Sequence, residues 1–192
     1  MRILPVALRF ATQTTPPEMA ALAMRASTIT HAHPRSQLAC AYLCLVAQQI
    51  IAETSTNPAC DTRTLATQCI NTATQHFQTL IANHPNERPH FERLTSGDIA
   101  NAKIGSIESD GYVMHTLEAA FWCLLNNDTC DETILSAVNL GGDTDTTACV
   151  AGGLAGLLHG SDAINSEWIS ALPRRDEIDR LIKNFTTAVL RT

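Results

Sequence analysis

The sequence has no basic run and carries more acidic than basic residues. It contains 13 Lys and Arg against 19 Asp and Glu, which gives a formal net charge of −6 at pH 7. Proteins that bind nucleic acid or anionic lipid surfaces present clustered positive charge, and this chain has no such cluster. We therefore expect neither nucleic acid nor a membrane surface among its partners.

The sequence also lacks any Cys-x-x-Cys pair, although it contains seven cysteines. Their number is odd, and Cys40 and Cys44 lie one helical turn apart within an apolar segment. Disulfide frameworks and zinc sites use paired, regularly spaced cysteines, so neither is expected here. The pattern favours reduced cysteines that act as small apolar core residues in a reducing compartment.

A long hydrophobic run is absent as well. The first ten residues, MRILPVALRF, are too short for a secretory signal and are interrupted by Arg9. The most apolar glycine-rich run, from Thr147 to Leu158, is only a dozen residues long, whereas a membrane span needs about 20. We expect a cytoplasmic protein without a membrane span.

Strand-like alternation is not sustained anywhere outside residues 1–10, and helix signals dominate the chain. These signals predict an all-α fold. Because repeats and long linkers are absent too, the sequence predicts one domain over residues 1–192. The segment 36–53 is apolar on nearly every face, which indicates a buried central helix. Thr15 indicates the cap of the first predicted helix, which runs from 16 to 27 or 30. The others cover 36–53, 61–81, 112–126, 131–139 and 144–159, with two more that start near 162 and 175.

Two stretches are predicted to be irregular. Asn57-Pro58 indicates a turn before Asp61, which can cap the next helix. Residues 83–109 are polar and rich in Pro and Gly, so they predict a loop with one short helix. Trp168, near the end of the chain, is predicted to lie in the core.

The most informative segment is Asn139-Leu-Gly-Gly-Asp143-Thr-Asp145-Thr146-Thr147, where a glycine turn precedes a predicted helix. Two carboxylates and a hydroxyl at positions i, i+2 and i+3 can be aimed at one point by a helix start, and hard divalent cations prefer such oxygen clusters. Gly141 and Gly142 allow a tight turn and keep the backbone close to a ligand. The small residues that follow predict a helix closely packed by its neighbours.

Two other interpretations of this segment are available. Asp143 is a preferred N-cap residue, and Asp145 would complement the helix dipole without any metal. That interpretation leaves the glycine pair and the second hydroxyl unexplained. The Asp-x-Asp-x-Thr pattern also matches haloacid-dehalogenase-type phosphatases, but their first Asp follows a buried strand near the chain start. Here the motif follows a helix, and only 45 residues come after Thr147.

Four segments, in this order, resemble the ADP-ribosylglycohydrolase family, which includes the dinitrogenase-reductase-activating glycohydrolases. They are Met1-Arg2-Ile-Leu-Pro5, Ile29-Thr-His31-x-His33-Pro34, Asp110-Gly-Tyr112-Val-Met-His-Thr-Leu-Glu-Ala-Ala120 and Asn139-Leu-Gly-Gly-Asp143-Thr-Asp145-Thr146. The last two are the specific ones, and together the four span nearly the whole chain.

The resemblance implies an all-helical hydrolase that removes ADP-ribose from a modified side chain or a small molecule with the help of two Mg²⁺ or Mn²⁺ ions. By position, Asp143, Asp145 and Thr146 would be metal ligands. His31 would lie near the bound ADP-ribose, Tyr112 would help to wall its nucleoside end, and Gly142 would keep the backbone close to it.

The resemblance is incomplete, because the family's other metal ligands and its acidic catalytic residue lie on N-terminal Gly-Asp…Gly…Glu and Thr-Asp-Asp motifs. These 192 residues contain neither motif and no Asp-Asp pair. Three ligands from one helix start leave two six-coordinate ions short of oxygen ligands. We expect roughly the first third of the family's domain to be absent, and catalysis to need a complementing chain or another source of these residues.

Alternatives remain open at this point. The chain is a hydrolase in need of complementation, a non-catalytic protein that binds ADP-ribose or an ADP-ribosyltransferase, or a truncated protein with no activity. Self-association is expected, since a domain without part of its core exposes apolar surface. His31 and His33 form a metal-binding pair, or one of them caps a helix. His115 and Glu118 either line the cleft or form an ordinary surface pair.

Overall fold

Helices form the regular structure of residues 2–56 and 61–190, which are the residues that the computed structural model describes. No strand occurs within these residues, and the all-α prediction is confirmed. The α-helices, in chain order, are α1 (Leu4–Phe10), α2 (Pro16–Ser27), α3 (Pro34–Thr56), α4 (Thr62–Ile81), α5 (Glu92–Thr95), α6 (Val113–Asn126), α7 (Cys130–Asn139), α8 (Thr144–His159), α9 (Ser166–Ala171) and α10 (Arg175–Leu190).

The helix starts that the sequence predicted are formed by the capping residues that indicated them. The Glu18 carboxylate accepts a hydrogen bond of 2.8 Å from the backbone N–H of Thr15 and closes a capping box at the start of α2. The Asp61 carboxylate accepts one of 2.9 Å from the backbone N–H of Thr64 and caps α4. The turn predicted at Asn57-Pro58 lies outside the described residues.

The alternating pattern at the start of the chain belongs to a helix rather than a strand. Pro5 stands in the first turn of α1, where its missing N–H leaves no hydrogen bond unmade. Ala7 is fully buried, and the Leu4 side chain lies against Gly153 so closely that a Cβ there would collide with it. The segment packs against α2 and α3 as well as against Gly153 of α8, and this packing favours a helix.

Helix α3 lies at the centre of the fold, as its apolar composition predicted. Its neighbours include α1, α2, α4, α6 and α8. The Tyr42 ring stacks on that of Phe77 with centroids 4.3 Å apart and meets the edge of Phe121 at 5.3 Å. Its hydroxyl shares a 2.5 Å hydrogen bond with Thr74 Oγ1, so the buried polar atom is satisfied.

Among the described residues, α3 is also the one helix that is long and apolar enough to cross a membrane. In its most apolar part, 61% of the residues are buried by the rest of the fold. This is weak support for a membrane span, because the core helix of a soluble protein meets the same criteria. The predicted absence of a membrane span rested on the shorter run from Thr147 to Leu158, which lies in α8.

The predicted loop between α4 and α6 contains three 3₁₀ turns as well as the short helix α5. Its apolar residues Phe91, Leu94 and Ile99 are about 1% exposed and anchor it to the core. The indole N–H of Trp122 donates to the Ala102 carbonyl at 2.9 Å and fastens the loop to α6. This long connection is therefore held in place, which fixes the residues that enter α6.

Helices α9 and α10 lie at the periphery. The prediction that Trp168 is a core residue is wrong, because its side chain is only partly buried. On α10, Leu181 and Ile182 are 71% and 57% exposed. An apolar stripe on this last helix is thus left open to solvent.

Candidate functional site

A cleft of about 820 Å³ is bordered by α1, the end of α2, the first half of α3 and the first turns of α6 and α8. Asp143, Thr146 and Tyr112 line it together with His31. Segments far apart in the sequence therefore bring four of the six predicted site residues to one cleft. The other two, Gly142 and Asp145, are exposed and are not among the residues that line it.

Asp143 occupies the N-cap position of α8 but does not act as a side-chain cap. No backbone N–H of the first turn donates to its carboxylate, and this carboxylate makes no hydrogen bond or ion pair with the part of the chain that the structure describes. Its backbone N–H donates to the Ser109 carbonyl at 2.6 Å. The capping interpretation therefore does not account for the Asp143 side chain, which is left available to a ligand.

Gly111 and Gly142 allow the segments before α6 and α8 to meet. Gly111 has φ of +84°, and a Cβ there would collide with the Asp143 carboxylate. Gly142 has φ of +64°, and a Cβ there would collide with the Ser109 carbonyl. Both positions combine a left-handed backbone with a close approach, which only glycine permits without strain. Gly142 thus acts by shaping the turn that places Asp143.

Of the three predicted metal ligands at the start of α8, two line the cleft and one does not. Thr146 faces the cleft, whereas Asp145 is exposed outside it.

Further along α8, a Cβ at Gly152 would stand 3.2 Å from the Ile134 side chain, so the prediction of a closely packed small-residue helix is confirmed. Thr147 is fully buried, and its hydroxyl has no hydrogen-bond partner within the described structure.

His31 and His33 lie in the turn before α3 and both border the cleft. His33 accepts a 3.1 Å hydrogen bond at Nδ1 from the backbone N–H of Arg35, so it caps α3 as one of the two interpretations predicted. His31 is held through its backbone, since its carbonyl accepts from the Ser27 hydroxyl at 3.0 Å. Its ring Nδ1 lies 3.0 Å from the Thr30 hydroxyl.

Tyr112 stands at the N-cap of α6 and is 39% exposed. Its hydroxyl accepts a 2.6 Å hydrogen bond from Arg35 Nη1. Its backbone N–H donates to Asp110 Oδ1 at 3.0 Å, and its ring meets that of His115 edge-on at 4.9 Å. An aromatic wall of the cleft is therefore held at three points.

A comparison with protein-family models identifies the family to which this chain belongs. The model described as ADP-ribosylglycohydrolase matches residues 1–191, nearly the whole chain. The chain belongs to the ADP-ribosylglycohydrolase family. A solved structure titled "ADP-ribosylglycohydrolase-related protein complex" has the same fold, with a TM-score of 0.69 and 27% identity over 99% of this chain and 58% of that one.

Curated relatives in this family carry names of ADP-ribosyl hydrolases. The ADP-ribosyl-[dinitrogen reductase] glycohydrolase of Rhodospirillum rubrum is 30% identical over 190 residues, which are 99% of this chain and 54% of that protein. The ADP-ribosylarginine hydrolase Tri1 of Serratia proteamaculans is 37% identical over 92 residues, which are 48% of this chain and 25% of that protein. The chain aligns over almost its whole length but spans only about half the length of the Rhodospirillum rubrum glycohydrolase.

Members of the ADP-ribosylglycohydrolase family typically bind metal ions, and the donors at the start of α8 fit such an ion in part. All three are oxygens, which suits Mg²⁺ or Mn²⁺. The carboxylates of Asp143 and Asp145 have no partner among the described residues. A six-coordinate ion would need further oxygens from water, substrate or another polypeptide.

A second group of possible ligands, which the sequence analysis missed, lies beside the cleft. The ligand atoms of Glu108, Asp110 and His115 fall within 4.8 Å of one another. The Tyr112 N–H and the His115 ring hold the pKa of the Asp110 carboxyl below its usual value. The spacing i, i+2 and i+7 around a glycine turn was the available signal. Exposed acidic groups are common without an ion, so the cluster alone assigns no site.

His115 and Glu118 do not line the cleft, and they do not form a pair with each other. His115 contacts Asp110 at 2.8 Å, whereas Glu118 accepts a 3.0 Å hydrogen bond from Arg93. Burial raises the pKa of the Glu118 carboxyl, while the nearby Arg93 lowers it. Glu118 therefore has a structural role, because it ties the loop before α6 to that helix.

Proposed function

We propose that this chain provides the ADP-ribose cleft and one part of the metal site of an ADP-ribosylglycohydrolase. The reaction would be hydrolysis of the glycosidic bond between ADP-ribose and a modified side chain, as in the arginine-directed relatives, or a small molecule. The observation that carries the proposal is the unpartnered Asp143 carboxylate, which the Gly111 turn holds in a cleft that Thr146, His31 and Tyr112 also line.

The residues of the cleft would divide the work. Tyr112 would wall the nucleoside end of ADP-ribose, and His31 would border the bound molecule. Asp143, Asp145 and Thr146 would hold Mg²⁺ or Mn²⁺, which can polarise ribose hydroxyls and position an attacking water. Negative charge from Asp143 would also favour the oxocarbenium-like centre from which the leaving group departs.

The number of ligands bears on whether the chain acts alone. Two six-coordinate ions need more oxygens than three residues at one helix start provide. In this proposal a complementing chain supplies further ligands and the acidic catalytic residue. The protein would act in a reducing, cytoplasmic compartment, since Cys40, Cys44, Cys123, Cys130 and Cys149 carry free thiols in the described structure.

A second candidate function is binding of ADP-ribose, or of an ADP-ribosyltransferase, without turnover. The position of Asp145 favours this candidate, because the side chain is exposed outside the cleft and would have to turn inward to complete a metal site. For ADP-ribose, the two candidates share the cleft and differ in whether the glycosidic bond is broken.

Release of ADP-ribose from an ADP-ribosylated arginine peptide, measured with Mg²⁺, separates these candidates. Under the hydrolase proposal the wild type releases ADP-ribose once the complementing chain is added, and both Asp143→Asn and Asp145→Asn abolish the release. Asp162→Asn is the matched control, because Asp162 is an exposed carboxylate just after α8 that does not line the cleft. Binding of ADP-ribose without release, with the complementing chain added, would support the second candidate and contradict the first.

A further inference from the structure

Arg35 joins three segments that are distant in the sequence. It lies in the first turn of α3, at the border of the cleft. Its Nε donates to Glu87 Oε2 at 2.8 Å, and its Nη1 donates to the Tyr112 hydroxyl at 2.6 Å. The guanidinium therefore connects α3 to the connection after α4 and to the residue that opens α6.

The Arg35 side chain is itself fixed, which a positioning role requires. The Arg35 and Glu87 side chains are only 22% and 13% exposed, so their ion pair is partly shielded from water. The Nε and Nη1 donors belong to one rigid planar group. Once Glu87 holds the Nε edge, the direction of the Nη1 donor towards Tyr112 is also set.

The Tyr112 ring depends on this donor for its orientation. The backbone bond to Asp110 fixes the start of the side chain, and the His115 ring supports one edge. Only the Arg35 contact holds the far end of this 39% exposed ring within the described structure. Without it the ring is free to turn about χ1 and χ2, away from the cleft wall.

We propose that Arg35 is a positioning residue that fixes Tyr112 as the aromatic wall for a nucleoside in the cleft. This inference rests on the proposed function, because it assigns the residue that sets the geometry of one end of the ADP-ribose site. Arg35 acts through the Tyr112 hydroxyl, and the preorganised ring loses less conformational freedom when a base packs against it.

The orientation of the ring is measurable without any ligand. The chain has two tyrosines, so labelling of the tyrosine ring carbons with ¹³C gives one set of NMR signals for Tyr112 and one for Tyr42. Arg35→Lys keeps a positive charge beside Glu87 but removes the two-pronged donor. We expect it to shift the Tyr112 signals and leave the buried Tyr42 unchanged. Unchanged Tyr112 signals in a folded Arg35→Lys chain would overturn the proposal.

Binding of AMP and of ribose 5-phosphate, measured by calorimetry, tests the consequence. Loss of one hydrogen bond that orders the ring should weaken AMP binding between about twofold and tenfold in Arg35→Lys and in Tyr112→Phe. The double variant should bind AMP no more weakly than the weaker single variant, because both changes remove the same contact. Binding of ribose 5-phosphate, which has no base, should be unchanged.

The matched control is Arg93→Lys. Arg93 also ties the connection before α6 to that helix, because it donates to Glu118 of α6 at 3.0 Å. It donates as well to the Ser106 carbonyl within that connection at 3.0 Å, but it does not line the cleft. The Arg93→Lys substitution should leave AMP binding unchanged. Additive losses in the double variant, or an equal loss in Arg93→Lys, would contradict the proposal. If the wild type binds no AMP, the proposed function fails, and the Tyr112 signals alone decide whether Arg35 fixes the ring.

Discussion

Substitution of Gly111 by alanine should separate the stability of the fold from the ability of Asp143 to hold a metal. Gly111 and Gly97 have the same φ of +84°, but only at Gly111 would a Cβ meet another group, the Asp143 carboxylate. At Gly97 nothing lies within 4 Å of that Cβ. The pair therefore isolates the effect on Asp143 from the effect of a left-handed backbone.

The expected loss of stability has two contributions, one from the left-handed backbone and one from the displaced Asp143 side chain. A left-handed conformation costs an alanine about 1–2 kcal/mol, and both variants bear that cost. In Gly111→Ala the Asp143 side chain must also leave its position, which costs roughly another 0.5–1.5 kcal/mol if it is forced off its rotamer. For a chain of this size the melting temperature falls by about 2–4 °C per kcal/mol. Gly111→Ala should therefore melt a few degrees below Gly97→Ala.

Thermal unfolding with and without Mg²⁺ is the assay. We expect Mg²⁺ to raise the melting temperature of the wild type and of Gly97→Ala by a similar amount, because binding to the folded state stabilises it. The rise should be absent in Gly111→Ala. Equal melting temperatures and equal Mg²⁺ effects in the two variants would refute the reasoning that Gly111 makes room for Asp143.

Three further predictions concern other parts of the chain. Gly142→Ala should lower the free energy of unfolding by about 1–3 kcal/mol more than Gly141→Ala in urea titrations, because a Cβ at Gly142 meets the Ser109 carbonyl and one at Gly141 meets nothing; equal losses would contradict this. Burial lowers the pKa of His159, so its protonation disfavours the folded state, and stability should fall as the pH drops below about 6.5 through the lowered pKa. His159→Gln should flatten that fall in unfolding curves between pH 7 and 5, and an unchanged slope would contradict it. Leu181 is exposed on the apolar stripe of α10, so Leu181→Lys should reduce self-association in sedimentation velocity, whereas a monomeric wild type at every concentration would remove the basis for this prediction.

Much of the fold was predictable because its signals are local. The capping box at Thr15 and the Asp61 cap are formed by residues three apart in the sequence, and the structure contains both. The burial of α3 followed from apolar residues on all its faces. The start of the chain was less clear, since helix α1 packs against α2, α3 and Gly153, which no local pattern reveals.

The site was predictable to the extent that its residues belong to short motifs. The segment from Asp143 to Thr146 was identified from its spacing, and the structure adds that Asp143 does not cap the helix. The contact of Arg35 with Tyr112 joins residues 77 positions apart. The approach of Gly111 to Asp143 joins residues 32 positions apart. Such contacts arise from the packing of whole helices, so periodicity and spacing do not predict them.

Calorimetric titration of ADP-ribose into the purified chain, with and without Mg²⁺, tests whether the cleft binds ADP-ribose together with a metal ion held by Asp143. We expect saturable binding that Mg²⁺ strengthens in the wild type, and binding that no longer responds to Mg²⁺ in Asp143→Asn. Asp162→Asn should behave as the wild type does. Absence of binding by folded protein in both conditions, or an Mg²⁺ response that survives in Asp143→Asn, would contradict the assignment of this cleft and of Asp143 as its metal ligand.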